Sequence, residues 1–300
     1  MSAPIVFDRL LQRARRRRAL VLGPVGFLLE HAAADLSDRL ATVLRRFEVA
    51  VDLGTPGDAA RQVLAANPAV GSVVAVDVLP EQFGHFTGGR IAADEEALPF
   101  ADASLDLVVS LLALQSVNDL PGVLIQVRRA LKPDGLFIAA LLGGDTLTEL
   151  RQSFALAETE IEGGLSPRVA AFADVRDMGA LLQRAGFALP VSDVDRLVVR
   201  YRSPFALMQD LRRMGMTNTL LERRRTPLRR ATLTRMAEIY VDRYGDADGK
   251  VRATFALVWL SGWAPHESQQ KPLKPGSAQA RLADALGTRE ISTGVKPIDD

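Results

Sequence analysis

The 300-residue chain is 48% apolar and 24% charged, an ordinary globular composition with enough material for one enlarged α/β domain or two smaller ones. Its 37 basic and 36 acidic residues leave a net charge of +1, so no bulk field draws it to nucleic acid or an anionic membrane. The lack of cysteine excludes disulfides, thiolate metal sites and a cysteine nucleophile, and no run approaches the ~20 apolar residues of a bilayer span.

The first stretch, MSAPIVFDRLLQRARRRRAL, is rich in arginine. A mitochondrial presequence would share that feature, but Asp8 and the compact run Arg15 to Arg18 argue against one, and a secretory apolar core is missing. The spacing predicts a basic helix with Phe7, Leu10, Leu11 and Ala14 on the core and the arginines in water, or else a docking patch for an acidic partner. Residues 1–46 form this N-terminal segment. From Phe47 the pattern alternates between apolar runs and helical stretches. FEVAVDLG reads as a first strand, Asp58 to Ala66 as a helix, SVVAVD as a second strand and RIAAD as a short third. A fourth strand starts near Leu105, a helix covers Leu120 to Leu131 and stops at KPDG, and LFIAALLGG makes a fifth strand. A polar helix follows Gly144, another runs from Val175 to Ala185, and VSDVDRLVVRY is a sixth strand. Ser203 to Tyr244 reads as largely helical, with Arg223, Arg224 and Arg225 on it; ATFALVWLSGWA is a seventh strand, and 266–300 a mobile tail. Strands alternating with helices imply a parallel sheet covered on both faces over residues 47–265.

In such a sheet, ligands sit beyond the carboxyl ends of the strands, where strand order reverses. Asp52 and Gly54 follow the first strand, Asp77 ends the second, and Asp94 and Glu95 follow the third. An acid ending the second strand can accept hydrogen bonds from ribose hydroxyls, and one after the third can take an adenine amino proton. The series therefore points to a nucleoside. Asp145, after Gly143 and Gly144, is either a helix cap or a carboxylate at the site mouth that meets a cationic substrate.

VDLG, AVD, ADEEALPFADASLDLVVS and LKPDGLFIAA resemble the motifs of class I S-adenosylmethionine-dependent methyltransferases. FDRLLQRAR, GGDTLTELRQSFALAETEIEGGLSP, RAGF, MQDLRRMGMTN and HESQQKP are more narrowly similar to the mitochondrial complex I assembly factor 5 family, and the similarity spans residues 7 to about 278. The resemblance implies a Rossmann-like seven-stranded α/β sheet, a helical lid at about 203–246, S-adenosylmethionine as cofactor and a protein client, with a respiratory complex I subunit as the candidate. The activity the resemblance implies is that of a class I S-adenosylmethionine-dependent methyltransferase acting on the client, with arginine hydroxylation, associated with the family's mitochondrial members, as the other modification. His31, His85 and His266 are too scattered for the usual two-histidine iron site, and no metal site is expected.

Two departures from the resemblance stand out. Where relatives carry roughly D-L-G-x-G-x-G, this chain reads Asp52, Leu53, Gly54, Thr55, Pro56, Gly57, Asp58. Pro56 removes an amide donor and Asp58 adds negative charge, although Gly57 restores close approach if the turn shifts by one residue. Where relatives carry leucine-histidine-tryptophan, this chain has Leu114, Gln115 and Ser116, and an amide cannot act as a base. The candidate cofactor residues are thus Asp52, Gly54, Gly57, Asp77, Asp94 and Glu95, with Gln115 and Asp145 at the substrate side and no catalytic residue assigned. A non-catalytic assembly factor with a degenerate cofactor site is the alternative. A nicotinamide dehydrogenase lacks its G-x-G-x-x-G fingerprint, and a nucleic-acid enzyme lacks a basic, aromatic surface pattern. Five lysines against 32 arginines suggest a high-GC bacterial genome, hence a cytoplasmic bacterial protein, peripheral at the inner membrane face.

Overall fold

The computed structural model describes residues 5–170, 172, 174–270 and 282–289. The chain divides into two compact units, Met1–Pro265 and His266–Asp300. In the second, the described residues hold one short helix, α9 (Leu282–Ala285); most of the stretch expected to be a mobile tail, 271–281 and 290–300, lies outside the described residues.

The first unit is built on seven strands: β1 (Phe47–Leu53), β2 (Val70–Asp77), β3 (Gly89–Ala92), β4 (Leu105–Leu111), β5 (Leu131–Leu142), β6 (Ala188–Tyr201) and β7 (Val251–Trp263). Their order is β3-β2-β1-β4-β5-β7-β6; β1 to β5 run parallel and β7 is antiparallel to both β5 and β6. The expected seven-stranded sheet is therefore present, with mixed rather than wholly parallel pairing. Alternation along β5 explains the two covered faces. Leu136, Ile138, Ala140 and Leu142 point to one core, Phe137, Ala139 and Leu141 to the other.

The first core is shared by α2 (Phe27–Ala41), α3 (Ala59–Ala66), α5 (Thr148–Glu162), α7 (Pro204–Arg213) and α8 (Arg230–Tyr244); the second by α4 (Leu120–Ala130) and α6 (Val175–Arg184). Caps explain several helix starts. Asp119 accepts from the Gly122 amide at 2.9 Å with Pro121 in the first turn of α4, and Ser203 caps α7 just before Pro204. At α4 the chain passes directly into β5, so KPDG does not separate the two. Residues 132–135 instead form an irregularity in β5, because β4 pairs Leu105 with Leu131 but Leu107 with Leu136.

The chain between β6 and β7 is less helical than its sequence suggests. It forms α7 and α8 with an irregular 214–229 segment between them, and Arg223, Arg224 and Arg225 lie on that segment. The segment pairs instead with the N-terminus: Phe7 bridges Leu220, Asp8 N donates to Thr219 O at 2.8 Å, and Leu221 N donates to Val6 O at 2.9 Å. These bonds, together with Asn118 Oδ1 accepting from the Val6 and Phe7 amides at 2.8 Å, pin the first helix, α1 (Arg9–Leu22). No single helix among the described residues is long and apolar enough to cross a membrane.

Candidate functional site

The strand order reverses between β1 and β4, so the loops after β1, β2, β3 and β4 converge at one edge of the sheet. After β1 the chain turns through Gly54 and Gly57, at φ +70° and +71°. A Cβ on Gly54 would lie 2.9 Å from Glu95 Oε1 and 3.1 Å from the Ala113 Cβ, so both space and backbone demand glycine. At Gly57 only the backbone does, since its added Cβ would meet nothing nearer than Leu29 at 3.8 Å. The Gly57 amide donates to Gln82 Oε1 at 3.0 Å, while the Asp58 carboxylate is engaged by Gln62 Nε2 at 2.8 Å.

Asp77 and Glu95 are both 1% exposed. Asp77 Oδ1 accepts from the Leu79 amide at 2.7 Å, and Asp94 Oδ1 from the Glu96 amide at 3.0 Å. Burial is the largest influence on Asp77 and leaves its carboxyl above the ordinary range despite Arg16 and the Leu79 amide. Burial also raises Asp94, but the Glu96 amide and Arg9 outweigh it and the net shift is downward.

Over these acids lies α1, and its expected orientation holds only in part: Phe7 is buried and Leu11 half-buried, with Arg17 and Arg18 in water, as the spacing predicts. Leu10 is 76% exposed and Ala14 is exposed, while Arg9, Arg13 and Arg16 face inward. Arg9 bonds Asp94 at 2.9 Å and also Glu95; Arg13 bonds Asp94. Arg16 reaches furthest, donating to Asp77 Oδ2 at 2.5 Å and Gly54 O at 3.3 Å, with Glu95 Oε1 at 3.5 Å. Its guanidinium thus stands among the ends of β1, β2 and β3. The inward turn of these three arginines has an electrostatic cause: buried carboxylates that cannot reach water need cations, and α1 supplies them. The spacing of Arg9, Arg13 and Arg16 at i, i+4 and i+7 was the signal that three cations share one helix face.

Asp52 does not join this group. It is 1% exposed beneath the Gly54 turn, where Arg61 Nη1 meets its Oδ2 at 3.1 Å. Arg61 also donates to Gly57 O, and to Gln82 O at 2.9 Å, so the pair braces the turn from behind. Burial pushes the Asp52 carboxyl up to about 7 against the opposing pull of Thr55 and Arg61. A cavity of about 1140 Å³ opens beside the turn, lined among others by Gly54, Pro56, Gly57, Gln115, Phe154, Met208, Met214 and Met216. Gln115 donates through Nε2 to Leu112 O at 2.8 Å, leaving a buried Oε1 without a partner. Asp145 is not part of the cavity wall. Its carboxylate, 54% exposed, pairs with Arg196 on β6, and Leu147, not Asp145, occupies the cap position of α5.

Comparison with known proteins follows the same line. A methyltransferase-domain family matches residues 51–139. Over 93% of this chain and 89% of its own length, the Danio rerio protein "Arginine-hydroxylase NDUFAF5, mitochondrial" is 38% identical; its Homo sapiens namesake is 41% identical over 93% of this chain and 83% of its length. The chain belongs to the NDUFAF5 family. Similarity to malonyl-[acyl-carrier protein] O-methyltransferase of Laribacter hongkongensis is shorter, 42% identity over 62% of this chain and 60% of that protein. Among solved structures, YcgJ of Bacillus subtilis shares the fold at a TM-score of 0.52 and 16% identity, covering 79% of this chain and 99% of its own. NDUFAF5 proteins matched over nearly the whole chain are mitochondrial, which overturns the bacterial cytoplasmic setting expected from composition. Arginine richness reports base composition of a genome, and says nothing about compartment.

Proposed function

We propose that this chain is an S-adenosylmethionine-binding enzyme that modifies a side chain of a protein client, a respiratory complex I subunit, in the mitochondrion. The observation that carries the reading is the convergence of buried Asp77 and Glu95 on the Gly54 turn, beside a cavity larger than one small-molecule pocket commonly requires. Gly54 and Gly57 line the cavity, whereas Asp77, Asp94 and Glu95 stand behind the α1 arginines, so the acids fit the cofactor once those arginines give way. Asp77 would accept from the ribose hydroxyls, Asp94 and Glu95 would serve the adenine, and Gly54 and Gly57 would admit the methionine portion past Pro56. Asp52 acts at one remove, holding Arg61 and through it the turn. When bound, S-adenosylmethionine supplies an electrophilic methyl group.

The free Oε1 of Gln115 would accept an N–H from the client side chain and orient it without removing a proton. The apolar wall of Phe154, Met208, Met214 and Met216 excludes water from that position. The name carried by the relatives favours arginine as the side chain modified. Incubation with the client subunit followed by peptide mass spectrometry separates added methyl from added oxygen. A second reading, an assembly module without a cofactor, is favoured by the arginines already paired with Asp77, Asp94 and Glu95. Isothermal titration with S-adenosylmethionine and S-adenosylhomocysteine decides between them. Binding that Asp77→Asn abolishes supports the enzyme; no heat at millimolar ligand with either compound supports the module.

A further inference from the structure

The positive charge of this near-neutral chain is unevenly placed. Besides the arginines that meet the strand-end acids, a second set gathers where α1, α7 and the 214–229 segment meet. Arg15 donates to Asn218 O and Arg18 to Thr217 Oγ1 at 3.4 Å, while Arg212, Thr217 and Asn218 line the cavity itself. Burial lowers the Arg15 guanidinium, and the neighbouring cations Arg18, Arg223 and Arg212 lower it further, with Asp8 acting the other way. Arg223 bonds Asp8 at 3.0 Å, and Arg225 also acts on that acid. Among the described residues no ion pair forms at Arg15, Arg18, Arg212 or Arg225. Like charges held this close carry a standing electrostatic cost, which an anionic partner relieves.

We propose that this arginine rim docks an acidic segment of the protein client, its carboxylates meeting Arg15, Arg18, Arg212 and Arg225 while an adjoining side chain enters the cavity. The proposal rests on the reading of that cavity as the modification site. A peptide suits the surface because Arg212 lines a cavity with an apolar wall, and Arg15 and Arg18 bond Asn218 and Thr217 of the same lining, so an extended chain can lie along these cations and send one side chain inward; a flat bilayer surface cannot. Guanidinium groups also accept carboxylates through paired N–H donors.

The test uses the full chain and a fluorescein-labelled deca-glutamate peptide, read by fluorescence anisotropy at low salt and at about 0.15 M salt. Three proteins are compared: wild type, the double reversal Arg18→Glu/Arg225→Glu, and Arg184→Glu, an exposed charge on α6. Wild type and Arg184→Glu should bind the acidic peptide, more weakly at higher salt, and neither should bind deca-lysine. The double reversal should bind at least about tenfold more weakly. S-adenosylhomocysteine titration of the same double reversal separates the two readings. If the peptide depends on the rim but the nucleoside binds no variant, the docking surface stands and the cofactor reading falls. Equal peptide binding by the double reversal, or no peptide binding by wild type, overturns the proposal. So does binding of wild type to phosphatidylglycerol vesicles that deca-glutamate fails to displace.

Discussion

Replacing Arg16 with alanine should tighten nucleoside binding while weakening the fold. Arg16 is 11% exposed and Asp77 1% at the side chain, so their 2.5 Å contact is shielded from water. Removing the cation strands a buried carboxylate, which costs about 3–5 kcal/mol in comparable buried pairs. The same change frees Asp77 Oδ2 for a ribose hydroxyl that otherwise has to displace a charge-assisted bond worth about 1.5–3 kcal/mol. The dissociation constant for S-adenosylhomocysteine should therefore fall by roughly 10- to 100-fold. Arg16→Gln keeps a donor near Gly54 O and Asp77 without the charge, and should lie between wild type and alanine in both properties. Isothermal titration gives the affinities and thermal melts of the ligand-free proteins give the stabilities. Weaker or unchanged nucleoside binding by both variants, with the melts lowered as expected, would refute the idea that Arg16 stands in the ribose position.

Gly54→Ala places a Cβ 2.9 Å from Glu95 Oε1 at a φ of +70°, so it should abolish nucleoside binding and lower stability by about 1–3 kcal/mol, measured by titration and denaturant melts. Asp52 has a folded pKa of about 7 against 3.8 in the unfolded chain, so its protonated form favours folding below pH 4 and that contribution is lost as pH rises through 7. The stability of wild type relative to Asp52→Asn should accordingly decline between those limits in a melting series, and a flat difference would contradict the burial argument. Leu36 of α2 is fully buried in the first core, so Leu36→Ala should cost about 2–5 kcal/mol in denaturant unfolding and leave nucleoside affinity unchanged.

The positions of β1 to β5 were legible because each is a short apolar run between helical stretches, and strand polarity followed from that alternation. The places of Asp77, ending β2, and Glu95, just after β3, were legible for the same reason, because each follows directly from where its strand stops. Asp52 looked equivalent from its place after β1, yet only the fold reveals that Arg61, nine residues on in α3, turns back to hold it. Asp145 read either as a helix cap or as a carboxylate at the mouth; in the structure Leu147 holds the cap position of α5 and Asp145 pairs with Arg196, 51 residues later in β6.

What sequence alone determined was the periodicity of most elements, the succession of the seven strands, and the family to which the chain belongs. All three depend on local spacing or on motifs read along the chain. The tertiary structure decided which way α1 faces, and with it where Arg9, Arg13 and Arg16 go. Hydrophobic spacing assigned that helix a core face through Phe7, Leu10, Leu11 and Ala14; Phe7 is buried and Leu11 half-buried, but Leu10 and Ala14 are exposed, and Arg9, Arg13 and Arg16 meet carboxylates 61 to 86 residues away. Burying Asp77 and Glu95 without water creates a demand for cations that outweighs the burial of a leucine and an alanine, and that demand exists only once the strands have assembled.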